Sequence, residues 1–134
     1  MPRSGITWLE QIAFVDFDKE FKCVKDVSTE HVIQLGGLGC FDEHGIFPLN
    51  ILKEESHIYA YISGWNRRSS VLLDGSIGLA ISKNNGLSFK RVGTGPVLTA
   101  SLNEPFLVGD PFVKKLKDLY HMWYIYGQKW VNGT

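Results

Sequence analysis

One pattern recurs along this chain at a spacing of 63 residues. Pro48-Leu49-Asn50-Ile51-Leu52 is followed, across a polar gap, by Tyr59-Ala60-Tyr61-Ile62-Ser63-Gly64. Pro111-Phe112-Val113-Lys114-Lys115 is followed, across a gap of the same length, by Met122-Trp123-Tyr124-Ile125-Tyr126-Gly127. Four identities fall in register: Pro48 with Pro111, Tyr61 with Tyr124, Ile62 with Ile125, and Gly64 with Gly127. A period of this size marks a repeated supersecondary unit rather than one irregular core. The unit reads as strand, turn and aromatic strand.

The strand pattern is clearest in the first copy. Phe47 to Leu52 is apolar enough for an inner strand buried on both faces. Lys53-Glu54-Glu55-Ser56 is a polar turn, and His57 to Ser63 forms the return strand. Ser76 to Ser82 is a third strand, and Phe89-Lys90-Arg91-Val92 a short outer one. Four antiparallel strands between about residues 46 and 93 make up one blade of a β-propeller. The expected fold is therefore all-β, a partial β-propeller of four-stranded antiparallel blades. Residues 1–40 supply N-terminal strands and an entry loop, 41–98 the first full blade, and 99–134 the start of a second. Upstream, Trp8 to Val15 reads as a strand or a short helix, and Phe21 to Val24 as a strand. Gly36, Gly37 and Gly39 break the chain into a loop that runs on through Gly45. Trp8, Phe47, Phe112 and Trp123 are expected in the core, because buried aromatics hold blades together. His57 and His121, in return strands, read as structural.

Bulk properties narrow the function classes. Fourteen basic residues balance fourteen acidic ones, so no basic face points to nucleic acid. No apolar run approaches the roughly 18 residues a membrane span needs. Met1-Pro2-Arg3-Ser4-Gly5 has no apolar stretch behind it, so no signal peptide is expected and the cytoplasm is the default location. Cys23 and Cys40 lack CxxC spacing and read as reduced thiols rather than a disulfide. With His31, His44, His57 and His121 scattered, no metal and no cofactor are expected. Asn132-Gly133-Thr134 fits a glycosylation sequon by chance.

Ser82-x-Asn84-x-Gly86-x-x-Phe89 resembles the Asp-box hairpin of several propeller families, with Asn in place of Asp. Gly109-Asp110-Pro111-Phe112-Val113 with Tyr120-His121-Met122-Trp123-Tyr124 is similar to the blade opening of the five-bladed propeller glycosidases, the set that includes glycoside hydrolase families 32, 43, 62 and 130. Gly95-Pro96-Val97-Leu98 resembles their linker into the next blade, and the likeness covers about residues 30 to 131. It implies hydrolysis of a glycosidic bond by carboxyl groups in the central funnel. In the family 43 pattern these are an Asp base in the first blade, a pKa-modulating Asp in the second and a Glu acid in the third. Asp110 matches the second-blade Asp. Asp42 is the best match for the base, with Glu43 as the fallback, although the repeat places Phe47 opposite Asp110. The third-blade acid has no counterpart, so the chain is expected to be part of a longer enzyme.

Antiparallel pairing adds an expectation of its own. The end of each aromatic strand returns beside the start of its inner strand, so Trp65-Asn66-Arg67-Arg68 belongs near Asp42 to Phe47, and Gln128-Lys129-Trp130 near Asp110. Trp65 and Trp130 are candidates to stack on a sugar, and Arg67 or Arg68 to bind a carboxylate or hydroxyl. His44, Asn66 and Glu104 complete the candidate contacts. The expected partner is a carbohydrate. Two further readings compete: a non-catalytic carbohydrate-binding propeller module, and a half-propeller that self-associates through its open blade edges.

Overall fold

The computed structural model describes residues 9–131, apart from the side chains of residues 48 and 49. Among these residues it is all-β, without helices, in antiparallel sheets of which none closes. Two short strands, β1 (Val15–Phe17) and β2 (Val24–Val27), form a hairpin. β3 (Gly45–Lys53), β4 (Ile58–Arg67), β5 (Leu73–Ser82) and β6 (Lys90–Arg91) form a four-stranded sheet in sequence order. β7 (Val108–Leu116) and β8 (Leu119–Tyr126) form a second hairpin. Trp8 and the sequon at Asn132 lie outside the described residues.

Side-chain alternation explains why the central sheet buries both faces. Ala60 and Ile62 of β4, with Ile46 and Ala80, join Val32 and Ile33 in one cluster, and Ile12, Phe14, Leu35, Phe41 and Phe89 pack against it. The N-terminal segment thus covers one face. The other face, carrying Asn50, Tyr61 and Ser63, receives the β7–β8 hairpin. Asn50 Oδ1 accepts from the Val113 N–H at 2.8 Å, and Ser63 Oγ from the Asp110 N–H at 3.2 Å. Three layers result.

The turn at the Asp-box likeness is held by side chains competing for backbone N–H groups. Ser82 Oγ accepts from the Gly86 N–H at 2.9 Å, and Asn84 Oδ1 from the Ser88 N–H at 3.0 Å. Asn85 and Gly86 take positive φ, 59° and 89°, which turns the chain back towards β6. Phe89 then donates its N–H to the Val32 carbonyl at 2.7 Å, fixing this hairpin to the N-terminal layer.

Several sequence expectations move. Residues 9–14 form neither the expected strand nor a helix; they make one parallel bridge, Glu10 with Gly45. Their backbone groups are used along the free edge of β3 and beside Val32: Ile46 donates to Glu10, and Val32 to Ile12. Phe21 lies in a turn at φ 55° rather than in a strand, because Asp18 Oδ1 captures the N–H groups of Glu20 and Lys22. Phe112 and Trp123 are not core: they are 53% and 51% exposed, because they point away from the central sheet. Phe47 is half-buried, stacked on Trp65. Cys23 and Cys40 are free thiols.

The repeat is real, but its structural period is 62. Asn50 pairs with Tyr61 as Phe112 pairs with Trp123, and Phe47 with Ser63 as Gly109 with Ile125. Both inner strands carry a bulge at the matching place, between Phe47 and Asn50 and between Gly109 and Phe112. The identities at 63 are therefore one residue out of register. Asp110 stands at the position of Pro48, inside the bulge, and not at that of Phe47.

Candidate functional site

The start of β3, the end of β4 and the start of β5 lie at one end of the central sheet, as their pairing requires, and the start of β7 meets them there, with the Val108 carbonyl close over Gly75. Most of the candidate residues gather there. The expected proximity of 65–68 to 42–47 is present. Gly45 pairs with Trp65, the His44 N–H donates to the Trp65 carbonyl at 3.3 Å, and Asn66 Nδ2 donates to the Cys40 carbonyl at 2.7 Å. His44 Nδ1 lies 3.4 Å from Asn66 Oδ1.

Asp42 departs furthest from its expected role. Its residue exposure is 0%, and its Oδ1 accepts from Arg91 Nη1 at 2.8 Å. Arg91 is on the outermost strand, so the carboxylate reaches across the sheet, away from the inner-strand starts. Phe41 leads it there by packing over Gly64 and Gly78, where a Cβ would come within 2.6 and 2.2 Å of its ring. Gly36 roofs the pair; a Cβ on it would stand 2.3 Å from Asp42 Oδ1. Burial raises the Asp42 carboxyl above its ordinary value, and the Arg91 charge opposes that rise. A general base must reach the proton it removes, and this carboxylate is sealed. Its geometry is that of an internal ion pair. The fallback, Glu43, is half-buried and accepts from the Gly39 N–H at 2.8 Å, which ties down the glycine loop.

Trp65 is also enclosed. It is 8% exposed, with Phe47 and His44 against it and Nε1 donating to Glu10 Oε2 at 3.0 Å. Little of its ring is offered to a ligand. Arg67 lies 6.0 Å from the Trp65 ring centre. Glu104 is half-buried and accepts from the Tyr124 hydroxyl at 2.8 Å.

The accessible polar groups collect around Asp74, which the sequence reading missed. Asp74 is ion-paired with Arg68 at the β4–β5 hairpin. It lines two clefts. One, of about 280 Å³, also holds Arg68, Phe106, Leu107 and Trp130. The other, of about 270 Å³, holds Asn66, Ser76, Thr99 and Phe41. The structure thus brings Asn66, Arg68 and Trp130 to one place with Asp74 between them. Trp130 follows β8 and lines its cleft with Leu107, whose carbonyl accepts from the Gly127 N–H at 2.8 Å. A signal for Asp74 was present: Arg68 and Asp74 bracket the Ser69-Ser70 turn six residues apart. Nothing in the sequence marked Arg91 as the partner of Asp42, 49 residues away.

Asp110 is exposed on the β7 bulge at φ 49°, a left-handed conformation that costs a non-glycine residue about 1 kcal/mol or more. The conformation is fixed from both sides. Its N–H is held by Ser63 Oγ, and Gly109, before it, approaches the same hydroxyl so closely that a Cβ would fall 2.7 Å from it.

No known family profile matches the chain. Over 111 residues it is 32% identical to uncharacterized proteins from two strains of Mycobacterium tuberculosis. The match takes 83% of this chain and 37% of each relative, so the chain spans well under half the length of the curated proteins it resembles. Neither name states an activity. No solved structure matches. Among the described residues, no cluster of three or more His, Cys, Asp or Glu could hold a metal ion, and no helix is long and apolar enough to cross a membrane.

Proposed function

We propose that this chain forms two repeats of a β-propeller that acts on carbohydrate, with Asp110 presented to the sugar at a glycosidic bond. One observation carries the reading: an exposed carboxylate held in left-handed backbone at the inner-strand bulge, where β7 lies on the preceding sheet. Such strain persists where the surroundings over-determine it, and it concentrates at functional positions. The four-stranded meander, the 62-residue repeat and the Asp-box-like turn support the propeller part of the proposal. In hydrolysis a base takes a proton from water, the water oxygen bonds to the anomeric carbon as the glycosidic C–O bond breaks, and an acid protonates the leaving oxygen. Asp110 would tune that acid by its charge. The clefts at Asp74 would bind the sugar, with Arg68 and Asp74 reaching hydroxyls and Trp130 offering an apolar ring face.

The burial of Asp42 favours a second reading, non-catalytic carbohydrate binding, because a carboxylate with no solvent exposure does not reach a substrate. Calorimetry against neutral and acidic oligosaccharides, run beside an assay for released sugar, separates the two. Binding with turnover that Asp110→Asn abolishes supports hydrolysis. Binding without product supports the second reading. Failure of every glycan class to bind ends both.

A further inference from the structure

We infer that the Arg68–Asp74 ion pair is the charge filter of the carbohydrate site, and that it makes the two clefts select neutral oligosaccharides over uronic-acid ones. The inference rests on the carbohydrate reading above and names the substrate class within it. Strand pairing places the filter. Asn66 stands directly opposite Asp74 across β4 and β5, and Ser76 follows two residues on along β5. All three side chains therefore leave the sheet on one face. They line one cleft with Thr99, whose Oγ1 lies 2.8 Å from Ser76 Oγ. Asp74 also lines the second cleft, beside Arg68 and Trp130, and is the residue the two have in common. At about 270 and 280 Å³, each falls just short of a ligand pocket of ordinary size, roughly 300 Å³ and above. Flanking one carboxylate, the two suit adjoining units of a sugar chain.

Charge decides what enters. Among the described residues lining the first cleft, Asp74 carries the only charge, and it is negative. Among those lining the second, Arg68 is the only cation, and Asp74 already engages it. A sugar carboxylate thus meets repulsion in one cleft and an already neutralised guanidinium in the other. To reach Arg68 it must displace Asp74, which leaves two carboxylates beside one cation, an arrangement that like-charge repulsion disfavours. A neutral sugar meets neither obstacle. Its hydroxyls donate to the Asp74 carboxylate and accept from the Arg68 N–H groups. The exposure of the pair suits this role better than a structural one. Its side chains are 57% and 30% exposed, and an ion pair so placed adds little to stability, while both groups stay within reach of a ligand.

The test is calorimetry of the full chain against neutral hexose disaccharides and trisaccharides, each beside its counterpart oxidised at C6 to the uronate. Wild type should bind at least one neutral member, and its uronate counterpart at least tenfold more weakly. Asp74→Asn frees Arg68 for a carboxylate and should cut that preference at least tenfold. Asp74→Glu, which keeps the charge, should retain it. High salt should shrink the wild-type preference, because exposed charges are screened. A merely structural role for Asp74 would lower both ligand classes together, and that result overturns the inference. Near-UV circular dichroism checks folding. If Asp74→Asn fails to fold, Arg68→Met takes its place; it leaves the Asp74 charge uncompensated and should widen the preference against uronates. Wild type that binds uronates as well as or better than neutral sugars overturns the inference and leaves the carbohydrate reading standing. Wild type that binds no member of either class overturns both.

Discussion

Arg91, on the outermost strand, donates to Asp42, which precedes the innermost strand, at 2.8 Å, and encloses a carboxylate with no solvent exposure. The pair ties the two edges of the four-stranded sheet together through the glycine loop. Among the described residues Asp42 Oδ2 has no hydrogen-bond partner, so the carboxylate depends heavily on Arg91. Breaking a buried pair from one side costs about 3 kcal/mol, because the remaining charge stays buried. Arg91→Met should therefore lower urea stability by about that much. Asp42→Asn with Arg91→Met should cost less than the two single changes added together. Additive losses would mean that the two residues act separately.

The same carboxylate sets a pH dependence. Its folded value is raised, first by burial, with Arg91 opposing, above the ordinary 3.8. The folded state therefore holds the proton more tightly than the unfolded chain does. This contribution is fully present below about pH 3.8 and is lost as pH rises through the folded value. Stability of wild type relative to Asp42→Asn should fall with rising pH across that window and then level off. A flat difference would show that burial is not shifting the group.

Gly64 and Gly78 let Phe41 lie on the sheet. Gly78→Ala would put a methyl 2.2 Å from the Phe41 ring, an overpacking clash worth about 1–3 kcal/mol. Phe41→Leu should recover part of that loss in the double variant, although alone it is destabilising. Thermal unfolding of the four proteins measures the coupling; absence of any rescue would show that the ring is not the obstacle.

Asn84 should act as an Asp-box residue does. Asn84→Ala removes the acceptor for the Ser88 N–H and should cost about 1 kcal/mol, as loss of a comparable cap does. Asn84→Asp keeps that acceptor and should stay near wild type. Equal losses in denaturant titrations would disprove the backbone-acceptor role.

Asp110 separates stability from function. Asp110→Gly relieves a left-handed residue and should change stability by less than about 1 kcal/mol, since the strain removed offsets the added chain entropy. On the proposed function it should also abolish glycan turnover or weaken glycan binding at least tenfold. A variant that binds and turns over glycan like wild type would make the carboxylate incidental.

Much of the candidate site was legible in the sequence because it rests on local pairing. Once Phe47 to Leu52 and His57 to Ser63 read as a hairpin, antiparallel geometry required Trp65 and Asn66 to lie beside His44. The rest depended on direction. Asp42 sits in a glycine loop that can aim either way, and the packing of Phe41 on Gly64 and Gly78 places it beside Arg91. Trp123 and Phe112 look like core residues in any composition-based reading, yet about half the surface of each is exposed.

By itself the sequence determined the all-β character, the order of the central strands, the Ser82–Phe89 turn and the existence of a repeat. Each follows from alternation and turn chemistry within a few residues. The tertiary structure decided the register of that repeat and the direction of its side chains. Four identities pointed to a spacing of 63, while the hydrogen-bonded pairs and bulges repeat at 62. One residue is enough to turn every side chain of a strand to the opposite face. Tyr124, matched by identity to Tyr61, thus takes the position of the buried Ile62, and Trp123 takes the place of Tyr61 on the open side. Sequence similarity cannot settle that choice, because face is fixed by what packs against the strand.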